Sequence, residues 1–239
     1  MPKRKRQFTI REVIKRRRRR LGGGTAKRAL TLAKQVKKMV NKTIERSTVD
    51  WDSVGNGVGT AGWTTNNLFA VTQGNTDGGN YPANARSGNA VTLMKEKFYF
   101  QLRGPGTTGV NESNNIIRII IAESTEGNQQ LQLSDILKYS NQTTHGHLVF
   151  TSPYQTKTDT NKRYKVHYDK VVKLNYYSSS FYRSLTPVIK HGKTGRVVNF
   201  NNNAPAPTDY NLTVWVISDS AAAQHPVLDF AYRGVFRDA

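Results

Sequence analysis

Short runs in which hydrophobic and polar residues alternate fill the chain after residue 46. They are rich in β-branched and aromatic side chains, and clusters of Gly, Asn, Ser, Thr and Pro separate them. This pattern predicts β-strands, because successive side chains of a strand point to opposite faces. The predicted strands are 43–53, 64–73, 90–103, 115–123, 163–174, 184–200, 210–218 and 227–237.

Two of the runs also predict how their side chains are placed. The run from Asn115 to Ile121 is almost continuously apolar, which is typical of a strand covered on both sides. The run 90–103 alternates instead. One face is predicted to carry Thr92, Met94, Glu96, Phe98, Phe100 and Leu102, and the other Lys95, Lys97, Tyr99 and Gln101.

Eight strands with irregular connections predict an all-β fold for residues 47–239, a single eight-stranded antiparallel jelly-roll sandwich. The connection 124–162 is long for a compact domain and contains one helical signal, at 133–138. Such a length indicates function or contact with a neighbouring molecule, and the Gly- and Asn-rich stretch 55–90 is a second candidate for a contact or outer-surface loop. Aromatic side chains that would anchor such contacts, or else belong to the core, are Trp51, Trp63 and Tyr81.

Residues 1–46 follow a different pattern and form a basic N-terminal arm. Small and aliphatic residues at three- and four-residue spacing predict a basic amphipathic helix over 25–44, with Thr25 as its N-cap. Residues 1–24 combine dense positive charge with few apolar side chains, so they are predicted to be disordered when free. The predicted domains are therefore this arm and a body over 47–239.

The arm carries most of the positive charge. Residues 1–46 contain 18 lysines and arginines and two glutamates, a net charge of +16, whereas residues 47–239 contain 18 against 14 acidic residues, a net charge of +4. Cations at this density are typical of proteins that bind the phosphates of a nucleic acid. The predicted nucleic-acid-binding residues are Lys3, Arg4, Lys5, Arg6, Arg11, Lys15, Arg16, Arg17, Arg18, Arg19, Arg20, Lys27, Arg28, Lys34, Lys37, Lys38 and Lys42.

Other interpretations of the arm use the same residues. A solvated run of charge, or a nuclear localisation signal alone, would need no nucleic acid. A helix lying on a membrane surface would carry Trp or Phe at the interface, and the stretch 25–44 has neither. Import signalling and phosphate binding are compatible, since one set of basic residues can serve both.

Composition excludes several classes of protein. The chain has no cysteine, so disulfides, thiolate metal sites, cysteine nucleophiles and iron–sulfur clusters are excluded. No apolar run approaches the roughly 18 residues that span a bilayer, so no membrane insertion is expected. No apolar segment follows the basic N-terminus in the way that a secretory signal requires.

The residues support neither an enzyme nor a metal site, and no cofactor is expected. His145 and His147 resemble half of a metal site or the histidine pair of rolling-circle nucleases, with both imidazoles on one side of an extended segment. A glycine separates them, however, and no tyrosine nucleophile on a recognisable helix follows, so a solvent-exposed pair in a loop is the favoured interpretation. Asp50 and Asp52 either face one cation or lie exposed on a strand. The Gly-Lys-Thr sequence at 192–194 lacks the glycine that a phosphate-binding loop needs five positions earlier.

Several short segments follow one another in a recognisable order. They are Gln73-Gly74, ARSGNAVTL (85–93), IRIIIA (117–122), DIL (135–137), RYKVHYDK (163–170) and RGVFRD (233–238). Together with the arginine-rich arm, they resemble the capsid proteins of small circular single-stranded DNA viruses of eukaryotes, the circovirus-like group. That group in turn resembles the coat proteins of small plant satellite viruses. The sequence departs from the group's pattern in two places: Ala122-Glu123 replaces the acidic residue that usually follows the strand, and His167 stands where an aliphatic residue is common.

The resemblance implies a jelly roll with sheets of strand order B-I-D-G and C-H-E-F, and an icosahedral shell of about sixty identical chains. The implied partners are further copies of the chain, a packaged single-stranded nucleic acid (DNA favoured over RNA), the host nuclear import machinery and an unknown cell-surface receptor. The implied locations are the virion and the host nucleus. A non-viral, sequence-independent nucleic-acid-binding protein with a β-barrel body is the alternative from another class. A rolling-circle nuclease, which needs a divalent metal and a tyrosine nucleophile, is a third.

Overall fold

A computed structural model of the protein describes residues 27–36, 46–74, 85–104, 114–155, 163–175, 181–221 and 225–238. The chain divides into two units, Met1–Glu45 and Arg46–Ala239. Within the first unit, residues 27–36 form a helix, α1. This helix is the described part of the predicted helix 25–44. The rest of that helix, and the segment 1–24 for which disorder is predicted, lie outside the described residues.

The second unit consists mainly of strands. Their bounds are β1 Ser47–Gly57, β2 Trp63–Thr65, β3 Thr72–Gln73, β4 Ala85–Arg86, β5 Ala90–Arg103, β6 Asn114–Ser124, β7 Tyr164–Asn175, β8 Tyr182–Leu185, β9 Val188–Lys190, β10 Arg196–Asn199, β11 Leu212–Ser218 and β12 Val227–Asp238. Short helices lie between β6 and β7, namely α2 Leu133–Ile136, α3 Gln142–His145 and α4 Leu148–Thr151. No helix in the described ranges is long and apolar enough to cross a membrane.

Among the described residues, the strands form two antiparallel sheets and one short parallel pair. The first sheet has the order β1-β12-β5-β10, and β8 and β9 also pair with β5. The second sheet has the order β2-β11-β6-β7, and β3 pairs with β4 in parallel. β8, β9 and β10 line up along one side of β5, opposite residues 100–103, 95–97 and 90–93 respectively. They therefore act as one interrupted strand.

The strand order identifies the fold. When the principal strands are lettered B to I in chain order, with β8, β9 and β10 together as G, the first sheet reads B-I-D-G and the second C-H-E-F. This is the arrangement expected of an eight-stranded jelly roll, so the predicted all-β sandwich is confirmed. β5 spans residues 90–103, the bounds predicted from its alternation.

Two of the predicted strands are interrupted in the structure. The run 184–200 forms β8, β9 and β10 instead of one strand. Pro187 separates the first two because it has no N–H to give to a sheet, and Gly192 and Gly195 take φ angles of +76° and +81° in the turn before the third. The run 64–73 contains only β2 and β3, with an irregular segment between them. The prediction of a single strand was wrong in both places.

The main core lies between the two sheets. Phe98, Phe100 and Leu102, which the alternation places on one face of β5, point into it. The ring of Phe100 lies 5.0 Å from the ring of Phe230 on β12, a distance typical of favourable aromatic pairs. Aromatic packing between neighbouring strands therefore contributes to this core.

Before residue 95, the residues of β5 that point into the core are not the ones predicted to share a face with Phe98. β12 pairs with Lys95 and next with Leu93, which leaves Met94 as an extra residue. Such a bulge reverses the alternation of side chains. As a result Val91 and Leu93 are buried, whereas Thr92 and Met94 remain partly exposed.

A smaller core covers the outer face of the second sheet. Ile120, Trp215 and Ile217 point away from the main core and pack with Ile136 and Val149 of the connection between β6 and β7. β6 is therefore covered on both sides, as its apolar run predicts. The connection contains α2 where a helical signal is predicted, and also α3 and α4, for which no signal was recognised.

Candidate nucleic-acid interface and buried ionic clusters

Helix α1 is the part of the predicted nucleic-acid interface that the structure describes. All of its residues are exposed, including Lys27, Arg28 and Lys34. Its aliphatic side chains Leu30 and Val36 are also exposed, with 58% and 47% of their surface accessible. The predicted residues that lie outside the described residues are Lys3, Arg4, Lys5, Arg6, Arg11, Lys15, Arg16, Arg17, Arg18, Arg19, Arg20, Lys37, Lys38 and Lys42.

A buried carboxylate, Glu96, collects three hydrogen-bonding groups on the inner face of β5. The hydroxyl groups of Tyr210 and Tyr232 donate to it at 2.5 and 2.7 Å, and Nε2 of His191 lies 2.9 Å from it. Burial, followed by the nearby negative charge, raises the pKa of both tyrosines well above its ordinary value. Because Glu96 is inaccessible to solvent, it holds these segments together and is closed to a ligand.

A second buried carboxylate, Glu123 at the end of β6, has two partners. Nε2 of His167 lies 2.8 Å from one of its oxygens, and Nη1 of Arg196 donates to the other. The guanidinium group of Arg196 also lies 4.5 Å above the ring of Tyr210, so the two carboxylate clusters are connected. Burial alone would raise the pKa of Glu123, but the hydrogen bonds from His167 and Arg196 lower it to about 2. Glu123 and His167, at which the sequence departs from the capsid-protein pattern, are thus in contact.

A buried ion pair fixes the connection between β6 and β7. Arg118 on β6 donates to the two carboxylate oxygens of Asp169 on β7, at 2.9 and 2.6 Å. It also donates to the carbonyl oxygens of Val149, at 2.6 Å, and Ser152, at 3.3 Å. The hydroxyl group of Tyr154 donates to Asp169 at 2.8 Å, and burial together with this bond raises the pKa of Tyr154 to about 12. Arg118 therefore anchors the connection to the sheet.

Arg86 is a fully buried arginine that joins several loops. It donates to the carbonyl oxygens of Val71 (3.3 Å), Asn201 (2.9 Å), Ala204 (3.0 Å) and Gly88, and to the side chain of Asn89 (3.2 Å). Beside it, Asp238 at the end of β12 accepts from the main-chain N–H of Ser87 at 2.7 Å and from the hydroxyl group of the same residue. Two of the segments that carry the resemblance, 85–93 and 233–238, are therefore in contact.

The sequence pattern does not identify these charged residues as partners, although it carries a signal for two of them. Glu96 stands on a predicted face with Phe98 and Phe100, and Arg118 interrupts an isoleucine-rich run. A charge at a buried position requires a partner, because burial of an unpaired ion costs several kcal/mol. The pattern thus indicates that a partner exists but does not say which residue it is.

The histidine and aspartate pairs noted in the sequence do not belong to any group of three or more possible metal ligands in the part of the chain that the structure describes. Asp50 accepts hydrogen bonds from Arg233 at 2.6 and 3.1 Å in an exposed ion pair. His145 ends α3 and His147 precedes α4, so the two residues flank a turn between short helices and do not lie on the extended segment that a metal site would need. Nδ1 of His145 lies 3.1 Å from the carbonyl oxygen of Asn141, within the same helical turn.

A groove of about 600 Å³ lies between β2 and the connection that contains α2 and α3. Its lining includes Trp63, Gln132, Asn141 and Trp215, and none of the residues that line it is charged. Polyphosphate binding relies on cationic side chains. The groove is therefore unsuited to a nucleic acid, the ligand that the charge of the arm indicates.

Comparison with known proteins gives only structural matches of low similarity. No protein-family model and no curated protein sequence matches the chain. A chain of desmodium yellow mottle tymovirus is 7% identical, with a TM-score of 0.38 and coverage of 82% of this chain and 87% of that chain. A chain of turnip yellow mosaic virus is 7% identical, with a TM-score of 0.38 and coverage of 82% of this chain and 95% of that chain. A chain of broad bean stain virus is 11% identical, with a TM-score of 0.28 and coverage of 79% of this chain and 84% of that chain. Similarity at this level carries no argument about family or function, and the fold assignment depends on the strand order.

Proposed function

We propose that this chain is a viral capsid protein, which assembles with identical copies into an icosahedral shell of about sixty chains and packages a single-stranded genome. The observation that carries the proposal is the separation of charge, an arm of net charge +16 joined to a jelly-roll body of net charge +4. The ordered segments that resemble the circovirus-like group support circular single-stranded DNA as the genome.

Sheet edges and exposed apolar side chains of the body support self-assembly. β1 and β7, with 11 and 12 residues, each form an edge of their sheet within the described residues. Such edges expose main-chain N–H and C=O groups, which natural proteins normally cover or protect. Exposed large apolar side chains of the body include Val54, Leu148, Tyr182 and Val197. Neighbouring copies in a shell would cover both kinds of surface.

The arm would package the genome through its phosphates. About sixty arms of charge +16 bring roughly 960 positive charges, enough to neutralise on the order of a thousand phosphates. Contacts to the phosphate backbone carry little base information, so packaging would be largely independent of sequence. Within the same arm, Pro2–Arg6 and Lys15–Arg20 would act as a nuclear localisation signal that the host import machinery recognises.

In this proposal the protein is a structural component of the virion and not an enzyme. The buried carboxylates of Glu96 and Glu123 suit that role, because internal hydrogen-bonding groups already occupy them. The chain would reach the host nucleus for assembly, and the assembled particle would bind a cell-surface receptor.

Deletion of residues 1–24 tests the proposal. We expect the shortened chain to keep the circular dichroism spectrum of a β-sheet protein, and its particles to contain no nucleic acid. Ultraviolet absorbance measures the nucleic-acid content of the particles. Electrophoresis after DNase or RNase treatment shows whether particles of the unmodified chain contain DNA or RNA. Normal genome content in particles without residues 1–24 would refute the proposal.

Gel filtration and negative-stain microscopy separate the capsid protein from a non-viral binding module. About sixty chains of 26.8 kDa give a particle of about 1.6 MDa. A module would elute as a monomer or a small oligomer.

A further inference from the structure

The outer face of the first sheet holds like charges in register. Lys95 on β5 is directly opposite Lys190 on β9, and Lys97 is directly opposite Arg233 on β12. Directly opposite residues have Cβ atoms roughly 4.5–5.5 Å apart, and like charges in such positions destabilise a sheet. The free protein therefore keeps Lys95 and Lys190 together at a cost in stability, whereas the charge of Arg233 is balanced by Asp50.

Acidic side chains compensate only part of this charge. We call Lys95, Lys97 and Lys190 the lysine patch. Within the described ranges, none of the three makes an ion pair. The acidic residues on this face are Asp50, which pairs with Arg233, Asp52 of β1, and Asp229 of β12, which is directly opposite Gln101 and accepts from the main-chain N–H of Gly55 at 2.7 Å. The patch therefore keeps its positive charge available to an external anion.

Exposed aromatic rings lie on the same face as the lysine patch. The outward residues of β5 from its bulge onward are Lys95, Lys97, Tyr99, Gln101 and Arg103. They follow one another at roughly 6.6–6.8 Å, the length of two strand residues. Tyr99 is 38% exposed, and Tyr182, directly opposite Arg103, is 57% exposed. Proteins that bind single-stranded nucleic acid combine these two features, because cations track the backbone while bases stack on the rings.

The first strand of the body, β1, begins close to the lysine patch. Thr48, the second residue of β1, is opposite Val235 of β12, which is in turn opposite Lys95. Neighbouring strands are roughly 4.8 Å apart, so the main chain of Thr48 lies roughly 10 Å from that of Lys95. The first strand of the body therefore begins near this face.

We propose that the outer face of the first sheet, centred on the lysine patch and Tyr99, is a second binding surface for single-stranded nucleic acid. The lysines contact phosphates and relieve their mutual repulsion, and the ring of Tyr99 stacks on a base. This inference rests on the proposed function, because packaging presents the same ligand to both the arm and the body. A sulfated polysaccharide would share the anionic groups but has no base to stack on Tyr99.

Charge-removing substitutions in the full-length chain test the lysine patch. The patch variant carries K95Q, K97Q and K190Q. The control variant removes exposed lysines of β7 in the other sheet and carries K165Q, K170Q and K173Q. Both lower the net charge equally. Circular dichroism checks the fold of each, and the free patch variant should melt no lower than the unmodified chain, since like charges have been removed.

The measurement is the affinity for a fluorescent oligothymidylate over a range of NaCl concentrations. Each phosphate contact to a single strand contributes about 0.7 to the slope of log affinity against log salt, so the slope of the patch variant should fall by about 2. The control variant should keep the slope of the unmodified chain. Equal slopes for the two variants would overturn the inference and leave the proposed function intact. An unmodified chain that fails to bind would overturn both.

Photocrosslinking tests the role of Tyr99. An oligonucleotide containing bromodeoxyuridine is irradiated with the full-length chain, and trypsin then releases residues 98–103 as one peptide. Tyr99 is the exposed aromatic residue of this peptide, because Phe98 and Phe100 are 0% and 1% exposed. We expect an adduct on this peptide that Y99L abolishes, together with an affinity for the oligonucleotide that Y99L lowers at least about fivefold.

Binding of heparin distinguishes a nucleic acid from a sulfated polysaccharide as the ligand of this surface. Y99L should leave the affinity for heparin unchanged, because a polysaccharide offers no base to the ring. Absence of the adduct, together with a loss of heparin affinity in the patch variant, would assign the surface to a sulfated polysaccharide and overturn the proposal. An adduct on residues 98–103 with unchanged heparin binding in Y99L would support it.

Discussion

Glu123→Gln removes the charge of a buried side chain while keeping its shape, and the structure gives the size of the expected effect. The pKa of Glu123 is about 2, against an ordinary value of 4.5. A group whose pKa is lowered by folding stabilises the protein above its unfolded pKa, and this stability is lost as the pH falls through the folded pKa. The two values correspond to about 3 kcal/mol at pH 7, of which about 1 kcal/mol remains at pH 3.

Urea-induced unfolding, followed by tryptophan fluorescence at pH 7 and pH 3, measures this effect. We expect E123Q to lower the free energy of unfolding by about 3 kcal/mol at pH 7 and by about 1 kcal/mol at pH 3, because the charge-assisted bonds from His167 and Arg196 are lost. The matched control is D50N, which removes a carboxylate from the exposed pair with Arg233. It should change stability little at either pH. An equal loss for E123Q at both pH values, or a loss no larger than that of D50N, would refute the reasoning.

Three further outcomes are expected. Arg118→Met leaves Asp169 without its buried partner, so the free energy of unfolding should fall by about 3–5 kcal/mol, and hydrogen exchange in α2–α4 should become faster. Gly234→Ala places a Cβ 2.9 Å from three side chains, and its free energy of urea unfolding should fall by about 1–3 kcal/mol. In an alkaline ultraviolet titration, the difference between the unmodified chain and Tyr154→Phe should show a phenol that ionises near pH 12. Unchanged hydrogen exchange in the Arg118→Met variant, or unchanged stability of the Gly234→Ala variant, would contradict the first two predictions. Ionisation of Tyr154 near the ordinary pKa of tyrosine would contradict the third.

β5 and β6 were predictable because the burial of their side chains follows from the local sequence pattern. β5 begins and ends where the alternation of 90–103 does, and the isoleucine run of β6 correctly predicts cover on both faces. The bulge at Met94 was not predictable in the same way, since it exists only in the register with β12. Pro187, in contrast, was a visible signal for the break between β8 and β9.

The buried clusters depend on residues that are far apart in the chain. Glu96 and Tyr232 are separated by 136 positions, and Glu123 and Arg196 by 73. No local pattern connects such partners, because only the topology of the two sheets brings them together. The basic residues of the arm, in contrast, could be identified as candidate binding residues from the sequence alone, since their density indicates that they bind a polyanion. Most of them lie outside the described residues, and their role remains a prediction.

Arg86 constrains the main-chain path of the loops around it far more than it constrains which side chains they carry. Four of its five acceptors, on Val71, Gly88, Asn201 and Ala204, are oxygens of the polypeptide backbone. Every residue type carries such an oxygen, so substitutions at these positions leave an acceptor for the guanidinium group. The loops held by this arginine can therefore diverge in sequence while keeping their paths, which lets the identity of their side chains evolve without rebuilding the scaffold.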